Sequence, residues 1–214
     1  MPSLSPLLLF DLLAVAVFAV TGALVASRKQ MDVFGFVLLG TVTGIGGGTV
    51  RDLLLGLPVF WVREPTYLVV CVVVSAIVFF TAHIPDSRYR LLLWLDALGL
   101  AAVAVIGADK ALDHGHGPIV AVAMGVITAA FGGIIRDVLG GESPLVLRRD
   151  IYVTAAFAGA GVFAGLAALG VEAGLAATAG FLAGFALRAC AIQLRWTLPV
   201  YKPRRARSPE ELGL

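Results

Sequence analysis

The stretch that decides the fold runs from Gly44 to Asp52, Gly-Ile-Gly-Gly-Gly-Thr-Val-Arg-Asp, and it recurs in reduced form as Phe131-Gly-Gly-Ile-Ile-Arg-Asp137. A shift of 85 residues superposes the two Arg-Asp pairs and the glycine pair that precedes each of them. Coincidences of Ala and Leu are common in apolar segments, but this combination at one spacing is not. The sequence therefore predicts an internal duplication. The same shift superposes Asp11 on Asp96, Gly22 on Gly107, Gly40 on Gly125, Thr43 on Thr128, Gly56 on Gly141, Arg63 on Arg148 and Tyr67 on Tyr152.

The composition around this motif is that of a membrane protein. Of the 214 residues, 59% are hydrophobic and 14% are charged, whereas roughly a quarter of the residues of a soluble domain are charged. The apolar residues fall in blocks of about 20, the length at which a helix crosses about 30 Å of hydrocarbon. Such blocks must be helices, because in lipid every backbone polar group needs a partner within the segment. The sequence predicts an all-α integral membrane protein with seven transmembrane helices, at about 7–27, 33–56, 66–83, 91–108, 118–140, 151–169 and 173–194.

The duplicated unit covers three of these helices. Since three is odd, the second copy must enter the membrane from the opposite face, which predicts two inverted three-helix repeats plus a seventh helix. The seventh helix is rich in Gly and Ala, which allow close helix approach either within the protomer or between subunits. We expect repeat 1 at about 7–84, repeat 2 at about 92–169 and helix seven at about 173–194, all in a single membrane domain (1–195) that precedes a basic cytoplasmic tail (196–214).

The basic residues predict the orientation, because short cytoplasmic loops concentrate Lys and Arg. The loops on one side of the seven predicted helices contain only Arg63 and Lys110. This bias predicts a multi-pass protein of a bacterial or archaeal plasma (inner) membrane, with the N-terminus outside and the C-terminus in the cytoplasm. The cytoplasmic set is Arg28, Lys29, Arg88, Arg90, Arg148, Arg149, Arg195, Lys202, Arg204, Arg205 and Arg207.

Two interpretations of the glycine motif are open. Consecutive glycines weaken a helix by up to about 1 kcal/mol each, and a kinked or unwound stretch at membrane depth could offer free carbonyl oxygens to an ion. Alternatively, the glycines only permit a tight helix crossing. Their recurrence in both halves favours a permeation or binding site. The candidate pore or ion-binding residues are Gly44, Gly46, Gly47, Gly48, Thr49, Thr128, Phe131, Gly132 and Gly133.

The charged residues of the motif are candidates for the mouths of such a pore. Charges inside a membrane are costly and usually face a partner or water, although an arginine can also extend its head group to the interface. Adjacent residues of a helix do not face each other, so Arg51 and Asp52 are not expected to pair. The inverted topology instead predicts two equivalent ion pairs at opposite mouths, Asp11–Arg51 and Asp96–Arg136, near Asp52 and Asp137.

The sequence lacks the signatures of several other classes. The motif does not end in Gly-Lys-Ser/Thr and follows no strand, so it is not a phosphate-binding loop. We find no catalytic triad, no metal-ligand spacing and no soluble catalytic domain, and therefore expect no enzyme activity, no cofactor, no resident metal and no nucleic-acid partner. The cysteines, Cys71 and Cys190, lie in apolar blocks and are expected to be packing residues.

At these residues the chain resembles the prokaryotic trimeric intracellular cation (TRIC) channels, over roughly residues 7 to 195. The resemblance implies a homotrimer in a lipid bilayer, with one pore in each protomer bounded by the kinked second and fifth helices. That pore would pass monovalent cations, chiefly potassium, with kinks at Gly46-Gly47-Gly48 and Gly132-Gly133.

Two departures from the family pattern stand out. Phe131 occupies the position of Gly46 in the second repeat, which makes it a candidate gate. The lysine-centred motif of the animal members is absent, so their regulation is not carried over. Because some bacterial relatives are labelled glycine transporters, a carrier for small neutral amino acids is the alternative function.

Overall fold

The computed structural model describes residues 6–85, 87–148, 151–199 and 201, and within them the chain is helical. Seven long helices alternate with short connections, and two of those connections contain a further short helical turn. The elements are α1 (Pro6–Arg28), α2 (Val33–Leu54), α3 (Phe60–Arg63), α4 (Thr66–Thr81), α5 (Arg88–Asp113), α6 (Pro118–Leu139), a 3₁₀ turn η1 (Leu145–Leu147), α7 (Val153–Ala168) and α8 (Ala173–Leu194).

Five of these helices, α1, α2, α5, α6 and α8, are long and apolar enough to cross a membrane. The chain is therefore a multi-pass membrane protein. Helices α4 and α7 are equally apolar but have 16 residues each. Each of the seven predicted spans overlaps one long helix, while α3 and η1 were not predicted.

The largest boundary error concerns α5, which extends five residues beyond the predicted end at 108. The hydropathy falls there because the sequence turns polar at Asp109 and Lys110, but nothing in those residues breaks a helix. The helix stops only where Gly115 adopts φ +80°, a conformation that favours glycine.

The two halves of the chain have matching boundaries. Helix α6 begins and ends 85 residues after α2, and α5 ends 85 residues after α1. Helices α1, α2 and α4 pack against one another, as do α5, α6 and α7. The α2–α6 and α1–α5 contacts join the two sets. The last helix, α8, packs on α5 and α7.

The glycines of α8 contact its own protomer. A Cβ atom added to Gly180 would lie 2.7 Å from the carbonyl oxygen of Gly159 in α7, and one added to Gly184 would lie 3.2 Å from that of Ala155. Of the two roles open for this helix, close packing within the protomer is thus the one observed for Gly180 and Gly184.

The start of α8 is capped by Glu172, whose carboxylate accepts hydrogen bonds from the backbone N–H groups of Gly174 (2.9 Å) and Leu175 (3.0 Å). These bonds hold the pKa of the Glu172 carboxyl below its ordinary value.

A lowered pKa of Glu172 means that its cap stabilises the helix at neutral pH and is lost as the pH falls through the folded-state pKa. We expect the protection factors of amide hydrogen exchange at Gly174 and Leu175 to fall as the pH falls through this lowered pKa, and to be low at all pH values in Glu172→Ala. The first turn of α6, where Gly117 provides no side-chain cap, should show no such pH step; equal steps at both helices would contradict the prediction.

Candidate functional site

Glycines form the contact between α2 and α6 at the centre of the molecule. A Cβ atom on Gly47 would lie 2.1 Å from the carbonyl oxygen of Thr128, and one on Gly132 would lie 2.6 Å from that of Thr43. Both distances are far shorter than van der Waals contact. Since Gly47 and Thr43 superpose on Gly132 and Thr128 after the 85-residue shift, each helix makes the same contact with the other.

The other glycines of the motif point to different neighbours around α2. A Cβ atom added to Gly46 would lie 2.8 Å from the Ile135 side chain. One added to Gly48 would lie 2.7 Å from the Phe60 ring, and one added to Gly44 would lie 2.9 Å from the Cys71 sulfur. Together with Thr128 opposite Gly47, four residues thus approach α2 where its own side chains are missing.

The glycine motif does not unwind either helix. Helix α2 continues from Val33 to Leu54 and α6 from Pro118 to Leu139 without interruption. The expectation of an unwound stretch with free carbonyl oxygens is therefore wrong, whereas the kinks expected in α2 and α6 stay a prediction. The glycines pack in a tight helix crossing. The physical reason is that the missing side chains are replaced by packed neighbours, which stabilise the helical backbone despite its glycines.

The threonines of the motif use their hydroxyl groups within their own helices. Thr43 donates to the carbonyl oxygen of Leu39 (2.5 Å), and its counterpart Thr128 donates to that of Met124 (2.6 Å). Thr49 donates to its own helix as well and accepts a hydrogen bond from the indole N–H of Trp61 (2.9 Å).

A fully buried ion-pair network lies at the end of α6, and we call it the inner cluster: Thr21, Asp96, Arg136, Asp137 and Tyr152. Nη1 of Arg136 lies 2.7 Å from Oδ1 of Asp96 and donates to the Thr21 hydroxyl at 3.1 Å. The predicted Asp96–Arg136 pair is thus present. Nε of Arg136 also donates to Asp137 at 2.8 Å, and the second Asp137 oxygen accepts the N–H of Leu145.

The corresponding network at the end of α2 is different, and we call it the outer cluster: Asp11, Arg51, Asp52, Tyr67 and Lys110. Asp52 accepts from Arg51 (2.8 Å), from Lys110 of α5 (3.0 Å) and from the backbone N–H of Phe60 (2.9 Å). Asp11 instead accepts from the Tyr67 hydroxyl at 2.6 Å.

Two predictions about the outer cluster are wrong. No Asp11–Arg51 ion pair forms within 4.0 Å among the described residues. Asp11 instead accepts a hydrogen bond from the Tyr67 hydroxyl, and the Arg51 guanidinium pairs with Asp52. Arg51 and Asp52 were not expected to pair, but the long arginine side chain folds back on its short neighbour, as it does at Arg136–Asp137.

Lys110 breaks the equivalence of the two clusters. Its counterpart in the first repeat is the apolar Val25, which is fully buried. Asp52 therefore has a second cationic partner, contributed by the other repeat, whereas Asp137 has no second cationic partner among the described residues.

The outer cluster opens into an acidic cavity of about 340 Å³, whereas Asp96, Arg136 and Tyr152 of the inner cluster are buried. Three carboxylates line this cavity against one ammonium group, that of Lys110. Such a charge balance favours cations, since a cleft with low-dielectric walls concentrates the field of its charges. The lining residues are Phe10, Asp11, Tyr67, Ile106, Asp109, Lys110, Asp113 and His114.

Sequence reasoning missed Asp109 and Asp113 because the predicted span ended at 108. A signal was available, because Ile106, Asp109, Lys110 and Asp113 follow the i, i+3, i+4, i+7 spacing that places residues on one helix face.

Phe131, the candidate gate, is 37% exposed and does not line the acidic cavity. A larger groove of about 640 Å³ between α6 and α7 has an almost wholly apolar lining and offers nothing to an ion.

Comparisons with known proteins find the same duplication. The family model described as glycine transporter matches the chain twice, over residues 8–83 and 93–168, and these ranges begin 85 residues apart. Among curated proteins, the chain is 43% identical to the UPF0126 inner membrane protein YadS of Escherichia coli K12, over 89% of this chain and 94% of that one. It is 42% identical to a UPF0126 membrane protein of Vibrio cholerae, over 92% of this chain and 83% of that one.

Solved structures with this fold are similar over nearly the whole chain. The TRIC trimeric intracellular cation channel orthologue from Rhodobacter sphaeroides is 59% identical, with a TM-score of 0.86, over 88% of this chain and 97% of that one. A TRIC cation channel solved in a study of conductance is 35% identical, with a TM-score of 0.81, over 92% and 98% of the two chains.

Proposed function

Because this chain belongs to the glycine transporter family, together with the solved prokaryotic TRIC channels, we propose that each protomer is a potassium-permeable channel for monovalent cations and not an enzyme. The observation that carries the proposal is the 59% identity to a TRIC channel over almost all of that channel's length. The acidic cavity of the outer cluster supports it, because its carboxylates would raise the local concentration of cations at the entrance.

We further propose the arrangement in the membrane. Seven helices cross, including α4 and α7; the two three-helix repeats have opposite orientations, and the membrane domain assembles as a homotrimer in the plasma membrane. The distribution of charge supports an external N-terminus: the carboxylates of the acidic cavity gather at one end, while Arg28, Arg88 and Arg148 lie at the other, around Tyr89 and Ser27. Most of the basic tail (196–214) lies outside the described residues.

The ion path would run from the acidic cavity through the α2–α6 crossing to the inner cluster. In this arrangement the glycine contacts at Gly47 and Gly132 are the constriction, and the structure corresponds to a closed channel. Conduction then requires α2 and α6 to separate locally, which glycines favour because no side chains interlock there. The small size of the other glycines would widen the same region: Gly44, Gly46, Gly48 and Gly133. Beside it lie Thr49, Thr128 and Phe131.

Neutralising the acidic cavity should lower cation conductance. We expect Asp109→Asn combined with Asp113→Asn to reduce the unitary potassium current several-fold at about 10 mM salt, where the Debye length is about 30 Å, and hardly at all at 1 M. The measurement is single-channel recording in planar bilayers, with the reversal potential followed in a potassium gradient.

Glu64→Gln provides the matched control for this experiment. Glu64 is an exposed carboxylate that does not line the cavity, so its neutralisation should lower the current less than the double substitution does. A loss of current that is the same at 10 mM and at 1 M salt would contradict an electrostatic role of the cavity, although it would leave the channel itself in place.

A second function, glycine transport, is favoured by the description of the family model that matches the chain. A carrier would exchange labelled glycine across the membrane of reconstituted vesicles without unitary current steps. If the purified protein gave no current under any potassium gradient but exchanged glycine, the channel proposal would be wrong.

A further inference from the structure

The ammonium group of Lys110 lies in surroundings that would also suit a free cation. Its Nζ is 3.0 Å from Oδ1 of Asp52 and 5.9 Å from the centre of the Phe60 ring, whose face attracts cations. The side chain of Asp52 is 0% exposed, whereas that of Lys110 is 28% exposed and lines the acidic cavity. A buried carboxylate and an aromatic ring thus hold an ammonium group that the solvent can still reach.

Asp52 has a full set of partners without this lysine. Arg51 pairs with its Oδ1 at 2.8 Å, and the backbone N–H of Phe60 donates to its Oδ2 at 2.9 Å. Asp137, the counterpart of Asp52 in the second repeat, is held by an arginine and a backbone N–H in the same way, with no second cation among the described residues. The Lys110 ammonium is therefore an addition to a carboxylate that is already paired.

The charges of the outer cluster show what Lys110 replaces. Without it the cluster would contain two carboxylates, Asp11 and Asp52, and one guanidinium group, that of Arg51. The end of α5 adds two further carboxylates to the acidic cavity. An excess of negative charge beside a solvent-filled cleft attracts cations, so a cation from the cavity would be drawn to the place that the ammonium now takes.

Lys110 can leave Asp52 and still keep an ionic partner. Asp113 follows it by three residues on α5, a spacing at which helical side chains are neighbours, and is exposed in the same cavity. The four-carbon stem of lysine is flexible enough for the ammonium to move between the two carboxylates. Displacement by a free cation would thus exchange one ion pair for another.

We propose that Asp52 and the Phe60 ring form a binding site for a partly hydrated monovalent cation, and that the Lys110 ammonium is a tethered occupant which such a cation displaces. Arg51 stays on Asp52 and keeps the binding weak, as the passage of an ion requires. This site rests on the proposed function, because potassium is its natural ligand only if the protomer conducts potassium.

Thallium(I), which replaces potassium and scatters anomalously, tests the site in crystals of the full-length protein. Lys110→Met keeps the apolar stem of the side chain and removes its charge. We expect an anomalous peak beside Oδ1 of Asp52 and over the Phe60 ring, at a thallium concentration at least roughly ten-fold lower in the variant than in the unchanged protein, since a tethered group competes at a high effective concentration. Absence of this peak in Lys110→Met, or equal thallium requirements with and without the lysine, would overturn the proposal.

Lys29→Met is the matched control. Lys29 also pairs with a carboxylate, that of Glu142 at 3.9 Å, but does not line the acidic cavity, so this variant should need as much thallium as the unchanged protein. A second measurement requires no variant: at saturating thallium the unchanged protein should hold the ion at Asp52, with the Lys110 side chain turned towards Asp113. An ammonium that remains on Asp52 with no ion beside it would equally refute the site.

Neither measurement depends on a current, so the site and the channel can fail separately. Thallium bound at Asp52 in a protein that gives no unitary current would refute the proposed channel and leave the site in place. A conducting protein without the thallium peak would refute the site and leave the channel in place.

Discussion

Gly47→Ala is expected to prevent stable packing of the two halves of the protein. The added Cβ atom would lie 2.1 Å from the carbonyl oxygen of Thr128, and because the obstacle is backbone, no side-chain rotation can relieve the clash. Inserting atoms into a packed interior costs about 1–3 kcal/mol or more, and we place this substitution at or above the upper end. In fluorescence-detected size-exclusion chromatography after heating, the variant should lose its monodisperse peak at a much lower temperature.

The chain offers an internal control for this experiment. Gly161 also lies within a helix, α7, but a Cβ atom added there meets nothing within 4 Å. Gly161→Ala should therefore leave stability unchanged or raise it, since alanine favours a helix by up to about 1 kcal/mol over glycine. Gly132→Ala should resemble Gly47→Ala, because it faces the Thr43 carbonyl oxygen at 2.6 Å. Similar melting of the Gly47 and Gly161 variants would contradict the crossing described above.

Asp96→Asn is expected to be far more damaging than Asp11→Asn, although the two aspartates are equivalent in the duplication. Asp96 neutralises Arg136, which is 0% exposed, and removing one partner of a buried ion pair costs about 3–5 kcal/mol. Asp11 accepts only the Tyr67 hydroxyl, a bond that asparagine can keep. We expect the loss at Asp11 to stay within about 1 kcal/mol, measured by the same thermal assay.

Two outcomes would contradict this asymmetry. Equal destabilisation by both substitutions would mean that Asp11 also carries an ion pair in the folded protein. A mild effect at Asp96 would mean that water or Asp137 compensates Arg136 on its own. Tyr67→Phe checks the first possibility, because it should remove the Asp11 hydrogen bond without touching any charge.

The duplicated features were predictable because they repeat in the sequence itself. The glycine and Arg-Asp pattern gave the offset, and the boundaries of α2 and α6 follow that offset. The Asp96–Arg136 pair followed from applying the inverted symmetry to the membrane depth of each residue. The fold could be predicted to this extent because hydropathy and small-residue patterns act within one segment.

The errors arose where a residue outside the repeat pattern supplies the partner. Lys110 has an apolar counterpart in the first repeat, so the symmetry did not predict its ion pair with Asp52. Hydropathy ended the predicted span before Asp109 and Asp113, because the last turns of α5 are polar. The glycine motif was ambiguous for a different reason. A glycine reports only that a side chain is missing, and whether an ion or another backbone takes that space depends on the tertiary neighbours.

The bonds between the two halves also set a requirement on biosynthesis. Asp52 is synthesised long before its partner Lys110. In the same way, Thr21 is synthesised before Arg136, and Gly47 before Thr128. When the first three long helices have left the ribosome, their polar and glycine surfaces are still incomplete. Until α5 and α6 have been synthesised, the first half therefore lacks the partners that Asp52, Thr21 and Gly47 have in the folded protein.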